Sequence, residues 1–236
     1  MRSNVWDMTR VVDEPCVVLH TRPYRESSLL VSLLSLNHGK VGAVAKGARG
    51  NRRGRILQPF YSLSVGWVGK SSLVTLTSFE SSRQIWLQGD RLAAGFYLTE
   101  LVTRLLSERE SLPRLYTAVV WAIESLGQAD MDLEAVLRSF EKLLLEELGY
   151  GLNFEHDAVS GDPIEVDGLY SMDPQQGFQQ SPHGRYAGAT LLGIHSESFT
   201  QAPVKRAAKQ IFRRALAEHL GAAPLLSRRL LARHRN

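Results

Sequence analysis

The ten residues Lys46-Gly47-Ala48-Arg49-Gly50-Asn51-Arg52-Arg53-Gly54-Arg55 hold five cations, three glycines and no acid. Glycine lets a backbone approach its partner closely, and arginine neutralises phosphate through bidentate hydrogen bonds, so the segment has the chemistry of a phosphate-binding loop. DNA and RNA both satisfy that chemistry, and a solvated surface loop has the same composition. Tyr24, Phe60, Tyr61 and Trp67 lie close enough in sequence to stack bases, although each would serve equally as a core residue. A second basic run sits near the C-terminus. At about 100° per residue, Lys205, Arg206, Lys209 and Arg213 share one quadrant of a helix whose other side carries Val204, Ala207, Ala208, Ile211 and Ala215.

Other groupings fail the spacing their chemistry needs. Gly69-Lys70-Ser71 would end a nucleotide-binding P-loop only with glycine where Ser64 stands and a helix where Ser72–Phe79 reads as a strand. The seven histidines are dispersed, so a metal site would need long-range pairing around His156, His183 and His195. Ser27 and Ser28 lack a nucleophile-elbow pattern, and the adjacent Glu146 and Glu147 point to different sides of a helix. Nothing here calls for catalysis, a metal or a cofactor.

The elements that must carry the loop change character along the chain. Residues 16–20, 29–34, 40–45, 61–67 and 72–79 are short apolar, β-branched runs separated by turns such as Asn37-His38-Gly39, and the basic loop joins the third to the fourth. Five short strands in so few residues suit a closed barrel, which leaves no exposed edge. After about residue 88 the apolar period becomes helical. Leu92, Phe96, Leu101, Leu105 and Leu106 mark one helix, and a second runs from Pro113 to Gly127. The third covers 131–148, with Asp130 as its cap and Gly149 as its stop. Residues 154–200 read as a loop-rich insert or small irregular subdomain, and a last helix runs from Pro203 to Gly221 with its basic face outward. The expected class is α+β: a five-stranded barrel domain over 1–82 and a mainly helical domain over 83–236.

Composition sets the outer bounds. The 236 residues are 44% hydrophobic and 8% aromatic, as in a folded globular protein. A lone Cys16 excludes an internal disulfide, and neither a signal-peptide core nor a membrane-length apolar run is visible, so the expected setting is cytoplasmic. The net charge of +4 is unevenly spread. Residues 40–55 contribute +6 and residues 205–236 contribute +8, which leaves −10 elsewhere. Charge segregated in this way points to a polyanionic partner.

Several ordered segments resemble one family. Val18-Leu19-His20-Thr21-Arg22-Pro23-Tyr24-Arg25-Glu26-Ser27-Ser28-Leu29, His38-Gly39-Lys40-Val41, Ala45-Lys46-Gly47-Ala48-Arg49 and Leu57-Gln58-Pro59-Phe60 are similar to the N-terminal domain of the bacterial RecO family. Gly95–Leu101, Leu137-Arg138-Ser139-Phe140-Glu141, Leu148-Gly149-Tyr150 and Pro224–Arg228 resemble its later segments in the same order. The resemblance implies that the barrel is an OB-fold. It also implies a mediator that binds single- and double-stranded DNA, anneals complementary strands, and works with RecR and sometimes RecF to load RecA on DNA coated by single-strand-binding protein, near the nucleoid. Arg22, Arg25 and Lys40 then join Lys46, Arg49, Arg52, Arg53, Arg55, Lys205, Arg206, Lys209 and Arg213 as expected DNA contacts. Arg138 becomes the expected cation for the acidic, aromatic-ended tail of single-strand-binding protein, unless it pairs with Glu134 or Glu141 on the helix surface. Some relatives carry a four-cysteine zinc site; Glu155-His156-Asp157 and the cysteine-free stretch after it depart from that pattern, so no structural zinc is expected. A general RNA-binding or translation-associated OB protein is the alternative reading of the same loop.

Overall fold

The computed structural model describes residues 10–227 and Leu230. The chain divides into two compact units, one running to Gly127 and taking back the chain from Leu225, the other spanning Gln128–Pro224.

In the first unit five strands close a barrel: β1 (Arg10–Tyr24), β2 (Ser28–Ser35), β3 (Gly39–Ala45), β4 (Tyr61–Val68) and β5 (Leu73–Gln84), in the order β1-β2-β3-β5-β4. Every pairing is antiparallel except β3 with β5, where Gly42, Ala43 and Val44 face Leu73, Val74 and Thr75. β1 is long enough to border both β2 and β4, and it bends at irregularities between Val11 and Glu14 and between Val18 and His20, as a closing strand must. Alternate residues fill the interior: Val31 and Leu33, Val41 and Ala43, Leu63, Val65 and Trp67, Val74 and Leu76. Glu14 is buried at one end, where it accepts hydrogen bonds from Ser35 Oγ (2.5 Å), Asn37 N (2.7 Å) and Asn37 Nδ2 (3.0 Å) and so ties β1 to the β2–β3 turn. That turn ends at Gly39, whose φ is +63° and where a Cβ would come within 1.9 Å of the Glu110 carbonyl oxygen.

Helices α1 (Gly89–Leu105) and α2 (Pro113–Leu126) complete this unit. Pro113 opens α2 at a position whose N–H would have no helical partner. The Glu100 carboxylate on α1 accepts hydrogen bonds from Leu226 N (2.8 Å), Ser227 N (2.9 Å) and Ser227 Oγ (2.5 Å), which holds the returning chain.

The second unit is built on α3 (Leu133–Glu147) and α5 (Ala202–Leu220), with α4 (Gly188–His195) and a small antiparallel sheet of β6 (Leu169–Asp173), β7 (Gly177–Gln180) and β8 (Tyr186–Ala187) in the order β7-β6-β8. Asp132, two residues beyond the expected Asp130, caps α3 by accepting from Glu134 N (2.9 Å) and Ala135 N (3.1 Å). The stretch 154–200 is more ordered than its composition suggests. It contains β6 (Leu169–Asp173), β7 (Gly177–Gln180), β8 (Tyr186–Ala187) and α4, elements too short for periodicity to reveal. Aromatic packing of Phe154 on Phe178 and Phe212, and of Phe178 on Tyr186, supplies its core. Asp157 is buried and accepts from Val159 N (2.8 Å), Ser160 N (3.0 Å) and Gln180 N (2.5 Å), joining the 157–162 turn to β7.

Candidate nucleic-acid interface

The basic loop leaves the barrel after β3, folds through one 3₁₀ turn at Arg53–Ile56 and returns as β4. It is braced from within. The Asn51 side chain donates to Gly47 O (2.5 Å) and accepts from Gly54 N (2.7 Å), an arrangement foreshadowed by an asparagine three residues ahead of a glycine in a turn. Gly54 admits no other residue, since a Cβ there would lie 1.9 Å from the Ala48 carbonyl oxygen. Two further bonds dock the loop on the β1–β2 turn, Arg49 N to Ser27 O (2.9 Å) and Arg49 Nη1 to Arg25 O (3.1 Å). Phe60, at the loop's far end, is held at φ +71° against Phe96 of α1, with ring centroids 5.2 Å apart.

This brings two separated segments of sequence to one end of the barrel. Arg22 and Arg25 at the end of β1 and Lys46, Arg49, Arg52, Arg53 and Arg55 of the loop are all exposed, and none forms an ion pair among the described residues. The exposed Glu26 is the acid on the adjoining turn. Arg53 rests 4.8 Å over the Phe79 ring, which steadies its guanidinium without neutralising it. Between turn and loop lies a cleft of about 490 Å³ with Arg22 and Arg55 among its walls. Of the aromatics considered for stacking, Trp67 and Phe60 are core residues, while Tyr24 and Tyr61 are half-buried.

Lys40 is placed differently. Its ammonium donates to the Thr103 and Leu106 carbonyls at 2.7 and 2.5 Å, satisfying the C-terminal end of α1. Burial there holds its pKa below the ordinary lysine value, against a smaller opposing pull from Glu108. It braces the barrel and is not part of the free basic surface.

The N-terminal family model described as recombination protein O matches residues 8–85, and the corresponding C-terminal model matches residues 87–229. The chain belongs to the RecO family. The DNA repair protein RecO of Cellvibrio japonicus is 41% identical over 94% of this chain and 97% of its own length. Those of Methylococcus capsulatus and Tolumonas auensis are each 40% identical, over 95% and 94% of this chain and 94% and 96% of their own. The barrel is accordingly the RecO N-terminal OB-fold.

The RecO C-terminal match covers the remaining expected site residues. On α5, Lys205 pairs with Asp132 and Lys209 with Glu134 (2.7 Å), so both cations join α5 to the start of α3. The hydrogen bond from Lys205, helped by backbone N–H donors, holds the Asp132 carboxyl below its usual range. Arg206 and Arg213 stay exposed with no ion pair among the described residues. Arg138 does pair with Glu141 (2.9 Å), but inside the unit and not on its surface: the two side chains are 6% and 2% exposed. The Arg138 Nε has no hydrogen-bond partner among the described residues. No group of three or more His, Cys, Asp or Glu among the described residues could hold a metal ion, and no helix among them is long and apolar enough to cross a membrane.

Proposed function

We propose that this RecO-family chain is a non-catalytic recombination mediator. It binds single- and double-stranded DNA, anneals complementary strands, and works with RecR, and with RecF where present, to load RecA onto DNA coated by single-strand-binding protein. The observation that carries this reading is the set of exposed, unpaired arginines on a braced loop at one end of an OB barrel. Contacts of that kind hold phosphates without reading sequence and leave base edges free to pair, which is what annealing requires. Arg206 and Arg213 form a second, smaller DNA surface on α5. Arg138 is the cation for the terminal carboxylate of the single-strand-binding protein tail, reached only as the tail displaces the packing that buries Arg138 and the apolar stripe of α3.

The deciding experiment is annealing of two complementary strands coated with single-strand-binding protein, without ATP or added metal. Acceleration by the parent protein supports the reading. An unaccelerated rate, with the protein folded and in excess, overturns it.

A further inference from the structure

In the first unit, a groove between β1 and α1 is covered by chain that returns from the far end of the sequence. Leu19 of β1, Phe96 and Thr99 of α1, and Leu226 and Leu230 of the returning chain enclose about 380 Å³ of largely apolar space. The cover is partial. Leu226 and Leu230 remain 66% and 41% exposed, so the attachment rests on the buried Leu225 and on the hydrogen bonds that Glu100 accepts from Leu226 N, Ser227 N and Ser227 Oγ. Bonds to an ionised carboxylate are about twice as strong as neutral ones, so Glu100 dominates the hold. The four residues ahead of them, Gly221–Pro224, are all exposed and begin at φ +67°.

Both walls of this groove lead to the basic surface. Leu19 is the extra residue of the β1 bulge, since Val18 pairs with Leu33 and His20 with Ser32, and it lies outside the barrel core. A bulge fixes how its strand bends, and Arg22 and Arg25 follow on the same strand and its turn. Phe96 packs on Phe60, which ends the basic loop, with ring centroids 5.2 Å apart. We propose that the chain returning at Leu225–Ser227 is a latch: held by Glu100 it fixes the β1 bulge and so positions Arg22 and Arg25 for DNA, and released it lets them relax. The inference rests on the DNA-binding reading above and adds a control over it. A permanent seam of the fold would instead open only when the barrel unfolds.

Amide hydrogen exchange and DNA affinity, both measured on the full chain, decide between latch and seam. In the parent, the Leu226 and Ser227 amides should exchange by local opening, at least about a hundredfold faster than interior amides of β2 and β4. Glu100→Gln keeps the shape and removes the charge. It should speed exchange at Leu226 and Ser227 by about tenfold, as for one weakened charge-assisted bond, and lower affinity for a thymidine oligomer of about 16 nucleotides by about threefold or more. In an Arg22→Ala, Arg25→Ala background the same change should have no further effect on affinity, because the groups it positions are gone. Ser227→Ala, which leaves Glu100 charged, should move both readouts the same way and keeps the test open if Glu100→Gln fails to fold. Leu226 and Ser227 amides that exchange only with the barrel core overturn the latch, as does unaltered exchange in both variants. Faster exchange with unchanged DNA affinity, or an equal loss of affinity with and without Arg22 and Arg25, also overturns it and leaves the DNA reading standing. A parent that binds no DNA overturns that reading and the inference with it.

Discussion

Replacing Arg138 by alanine would remove half of a buried ion pair along with any contact to a partner. Loss of one member of such a pair costs about 3–5 kcal/mol, because the other charge stays buried. Arg138→Lys is the better probe, since it keeps the charge beside Glu141 but loses the guanidinium fork. Its expected effect is a loss of about 1–3 kcal/mol in affinity for a tail peptide, read by calorimetric titration, with binding to naked DNA unchanged. Equal tail affinity would exclude Arg138 from the partner site. Lys40 calls for the opposite pattern. Lys40→Met strands the Thr103 and Leu106 carbonyls, so it should lower stability by about 1–3 kcal/mol in denaturant melts and leave DNA affinity unaltered. A clear loss of DNA affinity in a folded Lys40→Met protein would restore Lys40 to the basic surface.

Among the elements, the loop between β3 and β4 should dominate binding. Changing Arg49, Arg52, Arg53 and Arg55 together to alanine is expected to weaken binding to any sequence. It should also flatten the salt dependence by up to about 0.7 log units for each lost single-strand contact. An unchanged slope in a folded variant counts against the loop as the phosphate site. On α5 the structure separates charges that the helical wheel groups together. Arg206→Glu with Arg213→Glu should reduce DNA affinity and annealing, whereas Lys205→Gln with Lys209→Gln should act on stability, by about 1 kcal/mol or less for partly exposed pairs. If the arginine reversals leave both DNA activities intact, α5 has no part in them.

For the molecule as a whole, five carboxylates among the described residues set the acid limit, Glu14 and Glu100 in the first unit and Asp132, Asp157 and Asp173 in the second. At Glu14 and Glu100 burial alone would raise the pKa, but the converging hydrogen bonds outweigh it and the net shift is downward. Asp132 is lowered first by its bond from Lys205, and Asp157 by backbone donors from Ser160 and Gln180. Between each depressed folded pKa and its ordinary value of 4.5 for glutamate or 3.8 for aspartate, the unfolded chain binds the extra proton. The stabilisation is therefore complete above the ordinary value and is lost as pH falls through the folded one. Urea melts should show both units weakening below about pH 4. Asp157→Asn should flatten that dependence for the second unit, and an unaltered pH profile would show that the Asp157 bonds do not favour its ionised form.

Much of this protein is written locally. Period-two runs ending at turns announced the strands, helical stripes bounded by Pro113, Gly127 and Gly221 announced the helices, and the charge and glycines of 46–55 marked the loop, since each signal depends on neighbours within a few residues. The ordered family segments carried the kinship. Tertiary structure alone decided which cations are free. Lys40 meets carbonyls 63 and 66 residues away, Lys205 and Lys209 meet carboxylates 73 and 75 residues away, and Arg138 is enclosed by packing that its own helix does not supply. It also decided the cleft, whose walls come from β1, β2 and the loop, and the order within 154–200, where β-strands of five, four and two residues are held by pairing and by Asp157. A side chain's type states what it can bind, but burial and long-range partners determine whether that capacity is still available, and neither is a property of nearby sequence.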